Sequence, residues 1–206
     1  MNSAENIPQN IVYVSGTHGS GKSTLIHRLI QDSSHKYEEI PRIPIPKSKD
    51  MMERVIIRHS RYYYQTFDDK IWGSKHPDKI GLRDRCKIDE DGYMCGFLKI
   101  GWVTSKQFDD YLFLDRLMFT PDKLPRNILF LNPPVPFTIE NIKKRWSAGG
   151  LKKWMEDRFD YLEAVHNAFE EYLAQYDGNV LNLQATALEE RVALVNNWVE
   201  KTVKRK

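Results

Sequence analysis

One stretch of nine residues constrains this chain more than any other: Gly16-Thr17-His18-Gly19-Ser20-Gly21-Lys22-Ser23-Thr24. It satisfies the spacing GxxxxGK[ST] at every fixed position. The run Asn10 to Ser15 before it is apolar, β-branched and aromatic, and reads as a buried strand. Lys22 to Gln31 reads as a helix with Leu25, Ile26, Leu29 and Ile30 on one face. Glycines at this spacing let a loop curl so that successive backbone N–H groups converge on an anion. The helix that follows turns its positive N-terminal end to the same anion. On this reading Gly16 to Thr24 cradles the phosphates of a nucleoside triphosphate, ATP with Mg²⁺. Lys22 reaches the β- and γ-phosphates, and Ser23 offers its hydroxyl to the metal.

The rest of the chain alternates between strand-like and helix-like segments. Tyr37 to Ile40 reads as a strand, ended by Pro41, Pro44 and Pro46. A long helical stretch, Asp50 to Ile71, leads to a short strand over Lys79 to Asp84. Asp89 to Phe119 is mostly helical, with a break at Gly101 to Thr104 that has some strand character. Asn127 to Asn132 is an apolar strand closed by Pro133 and Pro134, and Phe137 to Arg145 is a helix. After a flexible break over Ser147 to Gly150, a helix is expected at Leu151 to Ala174, a strand at Asn179 to Leu183 and an amphipathic helix at Leu188 to Val203. This order predicts an α/β fold: a three-layer sandwich with about five parallel strands, helices on both faces and a helical lid. Without internal repeats or a low-complexity linker, residues 1–206 read as one domain, with the lid at about 145–158.

Charge and composition exclude several classes. The net charge is +3, but Lys201, Lys204, Arg205 and Lys206 crowd into the last six residues, which hold no acid. Without those four, 27 basic residues face 28 acidic ones, so the body is balanced. That argues against a nucleic-acid partner, which usually meets a basic face within the fold. The longest apolar runs are far shorter than the ~20 residues a membrane helix needs. The opening MNSAENIPQN has no basic n-region and no apolar h-region, so a cytoplasmic protein is expected. Cys86 and Cys95 match no metal-binding spacing and read as reduced thiols.

Four further segments carry chemistry. Leu82-Arg83-Asp84-Arg85 puts an acid at the carboxyl end of a strand, the sheet edge where ligands bind. There Asp84 would hold Mg²⁺ through water or orient an attacking hydroxyl, and Arg85 would contact a phosphate. Glu38-Glu39-Ile40-Pro41-Arg42 sets two carboxylates beside a proline at the end of the second strand. Arg58, Arg61, Tyr62, Tyr63, Tyr64, Gln65 and Phe67 share one helix, on which three consecutive tyrosines must point in different directions. Arg145, Lys152, Lys153 and Arg158 surround the Ser-Ala-Gly-Gly break, a hinge for a basic segment.

Together with the loop near the start, these segments resemble the thymidylate kinase and deoxynucleoside kinase group of P-loop kinases. The resemblance covers nearly the whole chain in layout. It implies γ-phosphoryl transfer from ATP-Mg to a nucleoside or nucleoside monophosphate. Lys22, Asp84, Arg85, Glu39 and Arg145 would be catalytic, with Ser23 and Asp84 at the metal. Glu38, Arg42, Arg61, Gln65 and Asp89 would bind the acceptor, and Lys152, Lys153 and Arg158 would belong to the lid. Either Glu38 or Glu39 fits the role of base. Lysines replace part of the family's closely spaced lid arginines, and lysine lacks the bidentate fork. The expected partner is a small-molecule acceptor, with a homodimer allowed. Arg85 followed by Asp89 and Tyr93 also fits a kinase for another small acceptor, such as nicotinamide riboside. A nucleotide-switched binding protein is the third reading; the guanine-reading Asn-Lys-x-Asp signature is missing from Asn132-Pro133-Pro134.

Overall fold

The computed structural model describes residues 7–153 and 155–203. The basic tail at Lys204, Arg205 and Lys206, most of the opening segment, and Trp154 inside the expected lid lie outside these residues.

Five strands are formed: β1 (Ile11–Gly16), β2 (Tyr37–Ile40), β3 (Ile80–Asp84), β4 (Asn127–Leu131) and β5 (Asn179–Leu183). They pair in the order β2-β3-β1-β4-β5, with every pair parallel. β1, β3 and β4 are buried along their whole length, as central strands of a covered parallel sheet must be. The helices are α1 (Lys22–Asp32), α2 (Met51–Lys75), α3 (Lys87–Lys99), α4 (Ser105–Met118), α5 (Val135–Ser147), α6 (Phe159–Leu173) and α7 (Leu188–Thr202).

The period-two alternation of β1 divides the core. Val12 and Val14 face a cluster with Leu25, Ile26 and Leu29 of α1 and Val192, Val195 and Val199 of α7. Ile11 and Tyr13 face the opposite cluster, built from Phe97 and Met94 of α3 and Tyr161, Val165 and Phe169 of α6. Register then builds the site: Val14 lies opposite Asp84, and Gly16 opposite Leu131. The carboxyl ends of β1, β3 and β4 therefore meet at one edge of the sheet.

The strand and helix order follows the sequence expectation, with three corrections. Trp102-Val103-Thr104 forms no strand; Gly101 has φ +71° and Thr104 caps α4 by accepting from the Gln107 N–H at 3.2 Å. The helix expected from Leu151 starts only at Phe159. The expected lid is therefore the end of α5 followed by a non-helical stretch. Met155, at φ +55°, stands in the left-handed region, which ends any helix through this segment. Cys86 and Cys95 are free.

Candidate active site

The P-loop is held from three sides. Gly16, Gly19 and Gly21 all have positive φ, at +137°, +74° and +95°. A Cβ on Gly19 would stand 2.6 Å from the Thr138 carbonyl oxygen, because α5 packs directly on the loop. From that helix the Asn141 amide donates to the Gly19 carbonyl at 3.0 Å. From α7, Arg191 donates through Nη1 to the Ser20 carbonyl at 2.7 Å and through Nε to Ala185 at 2.6 Å. The Lys22 ammonium folds into the loop, donating to the carbonyls of Gly16 at 2.9 Å and Thr17 at 2.6 Å. Burial, then the nearby charge of Arg85, pushes its pKa well below the usual lysine range. Ser23 and Thr24 lie at the start of α1 and line the cleft.

β3 delivers the second wall. Asp84 ends the strand, and Arg85 follows at φ +76°, a left-handed backbone at a non-glycine residue. The Arg85 N–H donates to Val14 at 3.0 Å, and its carbonyl accepts from the Gln65 amide of α2 at 3.2 Å. Its guanidinium donates to Asp89 at 2.6 Å and to the Gly16 carbonyl at 3.2 Å. Asp89 has two duties: its other oxygen accepts from the Cys86 N–H at 3.0 Å and so caps α3. Arg42, beyond β2, is ion-paired with the Asp84 carboxylate and also donates to its carbonyl at 3.1 Å. The other carboxylate oxygen, Oδ1, is buried with no hydrogen-bond partner among the described residues. His18 projects from the P-loop toward Tyr93 and Tyr161, with ring centroids 5.8 and 6.3 Å away. Burial, then the charges of Arg85 and Lys22, holds its imidazole well below the ordinary histidine range.

The third wall is the segment after α5. Arg145 is ion-paired with Glu156, a fully buried carboxylate. Glu156 also accepts from the Trp146 indole at 2.7 Å and the Lys153 N–H at 2.6 Å. Burial opposes ionisation of Glu156, but these donors hold its pKa below the usual range. Arg145 and Lys153 both line the cleft, a space of about 610 Å³ over the P-loop.

The structure does not bring every expected residue here. Lys152 pairs with Asp157 at 2.7 Å and Arg158 with Asp160 at 2.7 Å, both at the surface, so neither reaches the cleft. Glu38 lies 3.7 Å from His76, and Glu39 lies 4.0 Å from His27. They stand before Ile40 in β2, and it is Arg42 that extends to the cleft. Arg61 lies over the Tyr62 ring at 4.3 Å and is absent from the cleft lining. The sequence did not point to Asn141, Arg191, Glu156 or Glu90. Glu90 is buried on α3, and neither carboxylate oxygen has a hydrogen-bond partner among the described residues. Burial pushes its pKa up to about 7, opposed by Arg58 and Lys87. The only signal for it is position, five residues after Arg85 on the same helix-opening segment.

A larger space of about 780 Å³, lined by Arg126, Tyr172 and Tyr176, opens where β4 and β5 begin. That is the edge of a parallel sheet opposite to the one where ligands bind. The P-loop cleft is the site with convergent polar groups.

Solved structures share this architecture over most of the chain. Deoxyadenosine kinase from M. mycoides with bound dATP superposes with a TM-score of 0.67 at 17% identity, covering 92% of this chain and 98% of that one. The chain has the fold of a P-loop nucleoside kinase. The same enzyme with bound dCTP gives a TM-score of 0.66 at 17% identity, covering 93% of this chain and 99% of that one. Its structure with the products dCMP and a flexible dCDP gives 0.63 at 16%, with the same coverage. No protein-family model matches the chain, and no curated protein matches it.

Proposed function

We propose that this chain is an ATP-dependent phosphotransferase that moves the γ-phosphoryl group of ATP-Mg to a nucleoside or nucleoside monophosphate. One observation carries the reading: Lys22 and the α1 N-terminus share a single cleft with Asp84 and Arg85 at the end of β3 and Arg145 from α5. Charge moves onto the β–γ bridging oxygen and the transferred phosphoryl during such a reaction. Preorganised cations on three walls stabilise that charge without reorganising. Lys22 leaves its carbonyl partners for the β- and γ-phosphates. Arg85, fixed by Asp89 and by its left-handed backbone, meets the transferred group from the β3 side. Arg145, fixed by Glu156, meets it from the lid side.

The site suits Mg²⁺, an ion that keeps several waters and takes one or two protein oxygens besides phosphates. Ser23 and the unpartnered Oδ1 of Asp84 are the oxygens that would hold it. Bound there, the ion would neutralise charge on the β- and γ-phosphates.

The test is turnover. Purified protein with ATP, Mg²⁺ and a panel of nucleosides and monophosphates is expected to release ADP only with a true acceptor. ADP release independent of every acceptor, or none at all, overturns the kinase reading. Thermal shift with ATP against GTP checks the donor, and a response to GTP alone would favour a nucleotide-switched protein.

A further inference from the structure

Two side chains grip the P-loop from outside. The Asn141 amide of α5 donates to the Gly19 carbonyl at 3.0 Å, and the Arg191 guanidinium of α7 donates to the Ser20 carbonyl at 2.7 Å. These carbonyls belong to consecutive peptides. A trans peptide is planar, so its carbonyl and its N–H point in opposite directions. Drawing the Gly19 carbonyl toward α5 turns the Ser20 N–H away from α5. Drawing the Ser20 carbonyl toward α7 turns the Gly21 N–H away from α7. Neither N–H has a backbone acceptor among the described residues, although Ser20 is fully buried. Neighbouring amides of this kind form a concave nest for an anion. The guanidinium rests against the loop itself: a Cβ on Gly21 would stand 2.7 Å from its Nη1.

Arg191 differs from the other arginines of the cleft in a second respect. Arg42, Arg85 and Arg145 are each ion-paired with a carboxylate. Arg191 is 3% exposed, and its partners are carbonyls: Ser20 through Nη1, and Ala185 through Nε at 2.6 Å. Its Nη2 is buried with no hydrogen-bond partner among the described residues. Burial pushes its pKa down, with no anion acting against that. A buried cation without a counter-charge costs free energy, and a polyphosphate bound to the adjoining loop would offset that cost.

We propose that Arg191 and Asn141 are positioning residues of the P-loop: they hold the Ser20 and Gly21 N–H groups toward the phosphates, and the bound polyphosphate completes the charge of Arg191. This rests on the triphosphate-binding reading above. Asn141 acts through the Gly19–Ser20 peptide alone. Arg191 acts through the Ser20–Gly21 peptide and through its charge, so it carries the larger share. Both effects belong to anion affinity, before any acceptor is engaged.

The experiment measures binding of tripolyphosphate with Mg²⁺ to the full chain by calorimetry, which reads the phosphate cradle without turnover. Arg191→Ala should weaken binding about 30-fold, the size of one charge-assisted hydrogen bond, and Asn141→Leu about fivefold, the size of a neutral one. Millimolar guanidinium chloride should restore most of the affinity of Arg191→Ala, and sodium chloride at equal ionic strength should not. Wild-type affinity in either variant overturns the inference and leaves the kinase reading standing. Rescue no better than that by sodium chloride also overturns it. If Arg191→Ala fails to fold, Asn141→Leu decides: the fivefold loss at an unchanged unfolding midpoint supports the inference, and wild-type affinity overturns it. No binding by the wild-type chain removes the phosphate-binding reading and this inference with it.

Discussion

Lys22 donates to the Gly16 and Thr17 carbonyls of its own loop, while burial pushes its pKa well below the usual lysine range. On the proposed function, replacing it with alanine would remove a contact to the transferred phosphoryl group and leave the Gly16 and Thr17 carbonyls to water. Lys22→Ala is expected to lower kcat by about 10²–10³ with an unchanged unfolding midpoint; full activity in that variant would remove the phosphate-binding assignment. Glu90 makes a different prediction. Its folded pKa of about 7 lies above the ordinary 4.5, so the folded state binds the proton more tightly than the unfolded chain does. The stability it contributes is complete below pH 4.5 and is lost as pH rises to about 7, up to about 3 kcal/mol. Urea titrations should show that Glu90→Gln lacks this component and gains on the wild type above pH 7. Parallel pH profiles for the two proteins would overturn it. Lys22 was legible because its partners are local and its spacing is fixed by the loop. Glu90 and Arg191 were not, because burial and lost partners arise only when α2, α3, α7 and the P-loop meet.

At the level of elements, every strand was legible. β1, β3 and β4 are short apolar runs bounded by breakers, and their carboxyl ends had to meet at the P-loop once the sheet was parallel. The segment after α5 was not legible. Leu151, Met155, Phe159 and Leu162 recur at helical intervals, and that local signal predicts a helix. Long-range bonds win instead: Arg145 and Trp146 draw Glu156 fully into the protein, and the Lys153 N–H donates to that carboxylate rather than to a helix ladder. Glu156 thereby sets the position of both Arg145 and Lys153. Glu156→Gln keeps the shape but removes the charge that pairs with Arg145. It should lower kcat about tenfold through a misplaced Arg145, with faster tryptic cleavage after Lys152 and Lys153. Unchanged kcat and cleavage rate would show that the segment is held by other contacts.

Across the whole molecule, one buried polar network ties the outer helix α2 to the two strands that carry the site. Arg83 of β3 is fully buried and ion-paired with Asp69 and Asp68 of α2; it also donates to the Pro41 carbonyl after β2. Tyr13 of β1 completes the network, donating to Asp69 at 2.6 Å. Tyr13 stands three residues before Gly16, and Arg83 immediately precedes Asp84, so the network fixes the strand ends that present the cleft. A buried ion pair adds little net stability over an apolar packing, but removing one partner strands the other charge. Arg83→Leu should therefore cost about 3–5 kcal/mol. For a domain of this size that corresponds to a fall of roughly 6–20 °C in Tm. Adding Asp69→Leu should recover much of the loss, because the stranded carboxylate goes with it. Urea denaturation of the two single variants and the double variant measures the coupling directly. Additive losses, with the double variant as weak as the sum of the singles, would mean that Arg83 and Asp69 act by packing alone and that the cleft is positioned by the sheet without them.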